Sequence, residues 1–223
     1  MTTTELWTKI RTGLGVTAIA ALIVTGSLAA AAAPVAAEES KAPRVGFMAQ
    51  DFTLTDTAGQ THSLTSYLTD GKTVVLEWFS PGCPYVRKYH EGADANPSMR
   101  EAYRFAAEHD VVWLAINSNA PGTEGSGLEL NRQKRGEFGI EYPVLLDEDG
   151  TVGRAFGASS TPHMFIISPE GKVLYNGGAD DTKLNTDTPG INYIVNALTQ
   201  YMAGDEIDPA ATPHPGCSVK YAN

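Results

Sequence analysis

Leu76-Glu77-Trp78-Phe79-Ser80-Pro81-Gly82-Cys83-Pro84-Tyr85-Val86-Arg87-Lys88-Tyr89-His90 is the stretch on which the fold turns. The apolar run Thr73 to Phe79 reads as a buried central strand, because Val74, Val75 and Leu76 are contiguous. It stops at a Ser80-Pro81-Gly82 turn, and Cys83 then opens a helix with Pro84 suited to the first helical position. A thiol is thereby set at a helix N-terminus. Unpaired backbone N–H groups and the positive end of the macrodipole favour a thiolate there, which makes the sulfur a candidate nucleophile.

Working outward, Phe52-Thr53-Leu54-Thr55 and Thr61-His62-Ser63-Leu64 alternate around Asp56 to Gly59, the pattern of an N-terminal β-hairpin. Tyr85 to His109 reads as largely helical, and Val111 to Ile116 as a second buried strand. Asn117 to Gly127, rich in Asn, Ser, Pro and Gly, is a loop. Leu128 to Phe138 is expected to be a surface helix, since Asn131, Arg132, Gln133, Lys134 and Arg135 are all polar. Tyr142 to Leu146, a turn at Asp147 to Gly150 and a short helix over Val152 to Phe156 follow. Met164 to Ile167 and Lys172 to Tyr175 then flank a Ser168-Pro169-Glu170-Gly171 turn as a second hairpin. Ile191, Ile194, Val195, Leu198 and Met202 recur at helical spacing, so a last amphipathic helix ends near Gly204. The order of elements predicts an α/β sandwich, a mixed central sheet flanked by helices.

The 223-residue chain is 42% hydrophobic and 19% charged, ordinary for a globular protein, and its formal net charge of -10 opposes binding to nucleic acid or anionic membrane surfaces. Residues 1–37 differ from the rest. Lys9 and Arg11 precede an apolar run, Leu14 to Ala33, and Val35-Ala36-Ala37 supplies small residues before Glu38, the grammar of a cleaved export signal. An uncleaved anchor is the alternative, since roughly 20 apolar residues also span a bilayer. Residues 38–46 read as a linker, 47–204 as one domain, and 205–223 as a Pro-punctuated tail. The expected location is periplasmic or extracellular. Cys83 and Cys217, both C-terminal to the signal, would meet an oxidising compartment where disulfides persist.

The run Asp51 to Asp56, the strand ending before Cys83, Tyr142 to Gly150, and Ser160-Thr161-Pro162 followed by Met164 to Ile167 occur in an order that resembles the thioredoxin superfamily. Within it they are similar to exported redoxins of the alkyl hydroperoxide reductase and thiol-specific antioxidant type, over about residues 45 to 203. The resemblance implies a thioredoxin-like three-layer sandwich and a thiol-dependent oxidoreductase. Cys83 falls where thioredoxins have the first cysteine of Cys-x-x-Cys and peroxiredoxins their peroxidatic cysteine. The second Cys-x-x-Cys position is Val86, so exchange between neighbouring cysteines is absent. Ser80 matches the peroxide-orienting Thr or Ser of peroxiredoxins, while Leu76 and Pro162 stand where that family has a proline and an arginine. Thr161-Pro162 resembles the cis-proline loop that packs on the active cysteine, and Glu77 occupies the place of the buried carboxylate used for proton transfer. Arg87 and Lys88, one turn past Cys83, are candidate thiolate-stabilising cations.

Cys217 lies about 13 residues past Gly204, and an extended chain covers roughly 3.3 Å per residue, so the tail can reach Cys83 across the domain. The expectation is that Cys217 resolves an oxidised or attacked Cys83 and that an external thiol reductant reopens the bridge. A static bridge, pairing with another chain, and a free tail thiol are the competing readings. The substrate is peroxide or a protein disulfide, and neither chemistry requires a metal or organic cofactor. One rival reading is a copper-binding module, needing Cys83, Cys217 and one of His90, His163 or His214 to converge as soft donors. Another is a scaffold without turnover.

Overall fold

Strand β3 (Val74–Trp78) lies inside a seven-stranded mixed sheet, and all five of its residues are buried. It pairs parallel with β4 (Val112–Asn117) on one side and antiparallel with β7 (His163–Ile167) on the other. A strand flanked on both edges and covered on both faces has no solvated side, which is why its sequence runs apolar without alternation. The computed structural model describes residues 44–93, 95–184 and 190–222, all within one unit spanning 39–223. The expected export signal (1–37) and most of the expected linker (38–46) lie outside the described residues. Among those described, no helix is long and apolar enough to cross a membrane.

The sheet order is β2-β1-β5-β4-β3-β7-β8. The outer strands are β1 (Thr53–Asp56), β2 (Thr61–Ser63), β5 (Val144–Leu146) and β8 (Val173–Gly177). β1 and β2 form the expected N-terminal hairpin, closed by Asp56 Oδ1 accepting from Ala58 N and Gln60 N, both at 2.8 Å. One face of the sheet carries α2 (Pro84–His90), α3 (Ser98–Glu108) and α6 (Tyr193–Ala203), over a core that joins Val75 and Phe79 to Val86, Met99, Ile194 and Leu198. The other face carries α1 (Leu64–Thr69) and α5 (Thr151–Phe156), over Leu76, Trp78, Leu64, Val152 and Phe156. The alternation of Val75, Glu77 and Phe79 against Leu76 and Trp78 thus sends neighbouring β3 side chains into different cores. The expected α/β sandwich is the observed one.

Two expectations are corrected and two are made finer. The stretch expected to be largely helical over Tyr85 to His109 is two helices, α2 ending at His90 and α3 starting at Ser98. Gly92 has φ 83°, the Asn96 carboxamide accepts from Ser98 N at 2.9 Å, and Pro97 cannot continue a preceding helix. The helix α4 (Leu128–Glu137) is not polar merely because it is exposed: Asn131 is fully buried, its amide donating to Gly125 O and Gly127 O and its oxygen accepting from Asn117 Nδ2. The linker ends before Gly46, whose N–H already bonds Val173 O at 2.8 Å. The tail, expected to be able to reach Cys83, does so. It is laid along the domain, and Cys217–Ser218 forms β9, antiparallel to β6 (Ser160–Thr161).

Candidate functional site

The two sulfurs, 134 residues apart in sequence, are 2.7 Å apart in space. Three local structures bring this about. The Ser80-Pro81-Gly82 turn closes with Cys83 N bonding Ser80 O at 3.1 Å and delivers Cys83 to the N-cap of α2, with Pro84 in the first turn. The Thr161–Pro162 bond is cis, and Thr161 O accepts from Cys83 Sγ at 3.0 Å. The tail pairs Thr161 with Cys217 and Ser160 with Ser218, which turns Cys217 onto Cys83.

The tail is clamped on both sides of Cys217. Upstream, Thr212 Oγ1 accepts from Gly178 N at 2.9 Å and bonds the Tyr175 hydroxyl, and His214 Nδ1 meets Ser160 Oγ at 2.8 Å. The His214 ring also stacks on His163, with centroids 3.7 Å apart and planes within 7°. Downstream, Val219 N donates to Ser159 O, Lys220 N to Asn119 Oδ1 and Ala120 N to Lys220 O, while the Tyr221 hydroxyl donates to Ala158 O at 2.6 Å. Between the clamps, a Cβ added to Gly216 would stand 2.3 Å from Thr161 O, so only glycine lets the tail lie this close to the proline loop.

Cys83 is 3% exposed and packs with Phe79, Val86 and Tyr89, whereas Cys217 is half-buried. Burial first, then the hydrogen bond and charge of Cys83, push the Cys217 thiol up to about 11, against a Tyr85 backbone N–H that pulls it down. Two sulfurs this close cannot both carry charge cheaply, so deprotonating the second works against the first.

Glu77 is fully buried on the face of β3 that looks toward α2 and α3. Its Oε2 accepts from Trp113 Nε1 at 3.2 Å and from the Tyr142 hydroxyl at 2.8 Å, and Oε1 lies 3.4 Å from His90 Nε2. Burial, then the Glu77 charge, holds the Tyr142 phenol far above its ordinary range, so it remains a donor. Ser80 is buried as well, with its hydroxyl accepting from Asn119 Nδ2 at 3.0 Å. Asn119 also donates to Glu124 O and accepts from Lys220 N, tying the turn, the loop after β4 and the tail together.

Arg87 and Lys88 are engaged away from the thiols. Arg87 Nε pairs with Glu91 at the surface, and Lys88 Nζ donates to Thr182 Oγ1 at 2.6 Å beside buried Asp180. Neither is placed as a cation for the sulfurs, which corrects the expectation based on one-turn spacing: the helix rotates one outward and the other toward Asp180. His90 is taken by Glu77, while His163 and His214 are stacked on each other. Among the described residues no group of three His, Cys, Asp or Glu side chains could hold a metal ion, so the convergence needed for copper is not found there.

Sequence reasoning missed Asn119, Thr212 and Gly216, and offered His214 only as a copper donor, not as a fastening of the tail. A signal for Asn119 was present. β3 and β4 are parallel neighbours, so the loops that follow them emerge side by side, and Asn117-Ser118-Asn119 is the polar cluster at that edge. Nothing in the tail's spacing marks its clamps, because each partner lies far away in the sequence, on loops and strands that only the fold brings to the tail.

A family model described as Redoxin matches residues 44–194. The thiol-disulfide oxidoreductase ResA of Geobacillus thermodenitrificans (strain NG80-2) is 34% identical over 137 residues, covering 60% of this chain and 70% of that protein. Among solved structures, an uncharacterized conserved protein from Geobacillus kaustophilus is 28% identical with a TM-score of 0.71, covering 83% of this chain and 96% of its own. A hypothetical protein from Sinorhizobium meliloti 1021 is 25% identical, also at a TM-score of 0.71, covering 82% and 97%.

Proposed function

Because this chain belongs to the Redoxin family, with its thioredoxin-like fold and thiol-dependent oxidoreductase activity, we propose that Cys83 and Cys217 are its working dithiol. Cys83 is the nucleophile and Cys217 the resolving thiol. The observation that carries this reading is the 2.7 Å approach of the two sulfurs, held by a strand pairing and not by a free tail.

In the disulfide reaction, the tail segment over Cys83 moves aside in the reduced protein, and the Cys83 thiolate attacks a substrate sulfur and releases the other substrate sulfur as a thiolate. Cys217 then loses its proton and attacks Cys83 Sγ in the mixed disulfide, which expels the substrate's second thiolate and leaves a Cys83–Cys217 bridge. Two electrons have passed to the substrate, and an external dithiol returns them. In the peroxide reaction, Cys83 would become a sulfenic acid and Cys217 would expel water. The disulfide reaction is the favoured reading. The relative's name is that of a thiol-disulfide oxidoreductase, and the Ser80 hydroxyl, assigned to peroxide by resemblance, is bonded to Asn119.

The Thr161-Pro162 loop shapes the site by taking the Cys83 thiol hydrogen on Thr161 O. Glu77, held by Trp113, Tyr142 and His90, is assigned a proton-handling role in the core behind Cys83. Export, through cleavage before Glu38 or as an anchored form, belongs to the same proposal, and mass analysis of the N-terminus of protein from a secreting host tests it.

The test of the dithiol is direct. The reduced protein is treated with a model disulfide or with peroxide, remaining thiols are blocked, and non-reducing peptide maps are read. A Cys83–Cys217 bridge within seconds is expected, and the faster oxidant identifies the substrate class. Cysteines left unchanged by both oxidants refute the proposal.

A further inference from the structure

The two sulfurs are unequal to a visitor. Cys83 is 3% exposed and forms part of the core with Phe79, Val86 and Tyr89, while Cys217 is half-buried. What covers Cys83 is the tail itself, together with Thr161 O. In the bridged protein the Cys83–Cys217 bond adds to the fastenings of that cover, Thr212 and His214 on one side and Val219, Lys220 and Tyr221 on the other. Gly216 lies so close to the Thr161 backbone that a single added carbon would collide with it. A macromolecular thiol approaching the bridged protein therefore meets Cys217 first.

We propose that electrons enter the oxidised protein at Cys217 Sγ: the external reductant attacks that sulfur, and Cys83 is the sulfur that leaves. The inference rests on the Cys83–Cys217 bridge proposed above. A partner thiolate forms a bond to Cys217 Sγ as the Sγ–Sγ bond breaks, and the electron pair departs with Cys83 as a thiolate, beside Thr161 O. A second thiolate of the same dithiol partner then attacks the partner's own sulfur in the mixed disulfide and expels Cys217. Cys83 and Cys217 each take up one proton, and the partner departs as a disulfide with two electrons fewer. The direction suits the sulfurs. Burial, the first of the causes that raise the Cys217 thiol, acts whether or not Cys83 is free, so Cys217 is the poorer leaving group and a route that expels it in the first step is slower than one that attacks it. The same shift makes Cys217 a weak attacking thiol in the reduced protein, consistent with its being the electrophilic end of the bridge and not the first nucleophile.

The experiment uses the full chain, oxidised and shown by peptide mapping to contain the bridge. It is exposed for seconds to reduced glutathione, and separately to a dithiol oxidoreductase lacking its own resolving cysteine, then acid-quenched and alkylated. The expected product carries the partner on Cys217 and the alkyl group on Cys83, in excess over the reverse product by about tenfold or more. Adducts on Cys83, or in equal amounts on both, overturn the assignment. Failure to obtain any bridge sinks the parent reading instead, and with it this one, so the two failures are told apart at the first step. Gly216→Ala supplies a second measurement: lifting the tail from Thr161 should shift the glutathione adduct several-fold toward Cys83 in protein whose thermal melt remains cooperative. An unshifted ratio in such protein also overturns the proposal, since tail cover would then not be what selects the sulfur.

Discussion

Acidifying the protein should unhook its tail, and the magnitude follows from two stacked histidines. His163 is 3% exposed at the start of β7, with Nε2 2.7 Å from Asn176 Oδ1, so Nε2 carries the hydrogen and donates it. Nδ1 is buried with no hydrogen-bond partner. Protonation would place a second N–H there, facing no acceptor, under a second imidazole 3.7 Å away. Burial first, and then the ring of His214, push the His163 imidazole down to about 4, and burial lowers His214 too. An unfolded histidine titrates near 6.5, so the unfolded chain takes up the proton first as pH falls. The stabilisation is therefore whole above about pH 6.5, declines as pH falls, and levels off below about 4, where the folded His163 protonates as well. At about 1.36 kcal/mol per unit, the His163 share is about 3 kcal/mol, a large fraction of the ~5–15 kcal/mol by which domains are stable.

The assay is urea unfolding at pH 7.5, 6.5, 5.5 and 4.5 for the protein and for His163→Gln, which keeps a donor for Asn176 without the titration. The stability difference between the two should shift by about 2–3 kcal/mol across this range, in the sense that acid penalises the protein more than the variant. Limited proteolysis at pH 5 should cut the tail before the domain, because His214 is one of its upstream fastenings. Parallel pH profiles for the two proteins would refute the reasoning, since His163 would then not be the group that resists the proton.

Cys217→Ser should abolish the intramolecular bridge while leaving the Cys83 thiol to form stable mixed disulfides with glutathione, read by intact mass. Alkylation of Cys217 in the reduced protein should have its midpoint near pH 11, and Cys83→Ser should lower it, because Cys83 supplies the second and third causes of the shift; the rate of iodoacetamide labelling against pH checks both. Glu77→Leu should cost about 3–5 kcal/mol in urea unfolding, because it strands the Trp113 and Tyr142 donors in the core, whereas Glu77→Gln, which keeps an acceptor, should cost less. Asn119→Ala removes bonds to Ser80, Glu124 and Lys220 and should cost about 2–3 kcal/mol, with faster hydrogen exchange at Lys220 N as the specific sign that the tail has loosened.

What was legible in the sequence was what local pattern controls. β3 could be read because a strand buried on both faces must be continuously apolar, and α6 because its one buried face repeats at helical spacing. Cys83 was legible for the same reason: the Ser80-Pro81-Gly82 turn and Pro84 act within a few residues of it. The break between α2 and α3 was less so, although Gly92 and Pro97 both stand in the sequence, because the two halves cover one core and carry apolar residues on either side of the gap at Val86, Tyr89, Met99, Ala102 and Ala106. Polar residues misled most. Asn131 and Lys88 look like solvated helix faces, and only the positions of the Gly125–Gly127 backbone and of Asp180 show that each is a buried or half-buried donor.

The tail marks the limit of such reading. Chain length establishes that Cys217 can reach Cys83, but reach alone gives the same answer for a frayed thiol, a static bridge and a resolving cysteine. What separates the first from the others is the set of fastenings on either side, and each of those joins the tail to a residue between about 35 and 100 positions away, as in Thr212 with Tyr175 and Lys220 with Asn119. The proposed resolving role, as against a static bridge, rests on geometry plus chemistry. Cys217 is held against its partner while remaining the more accessible sulfur, so a bridge formed here presents one sulfur to incoming thiols and keeps the other in the core. A bridge serving only to staple the tail would gain nothing from that asymmetry, since Thr212, His214 and Tyr221 already hold the tail without it.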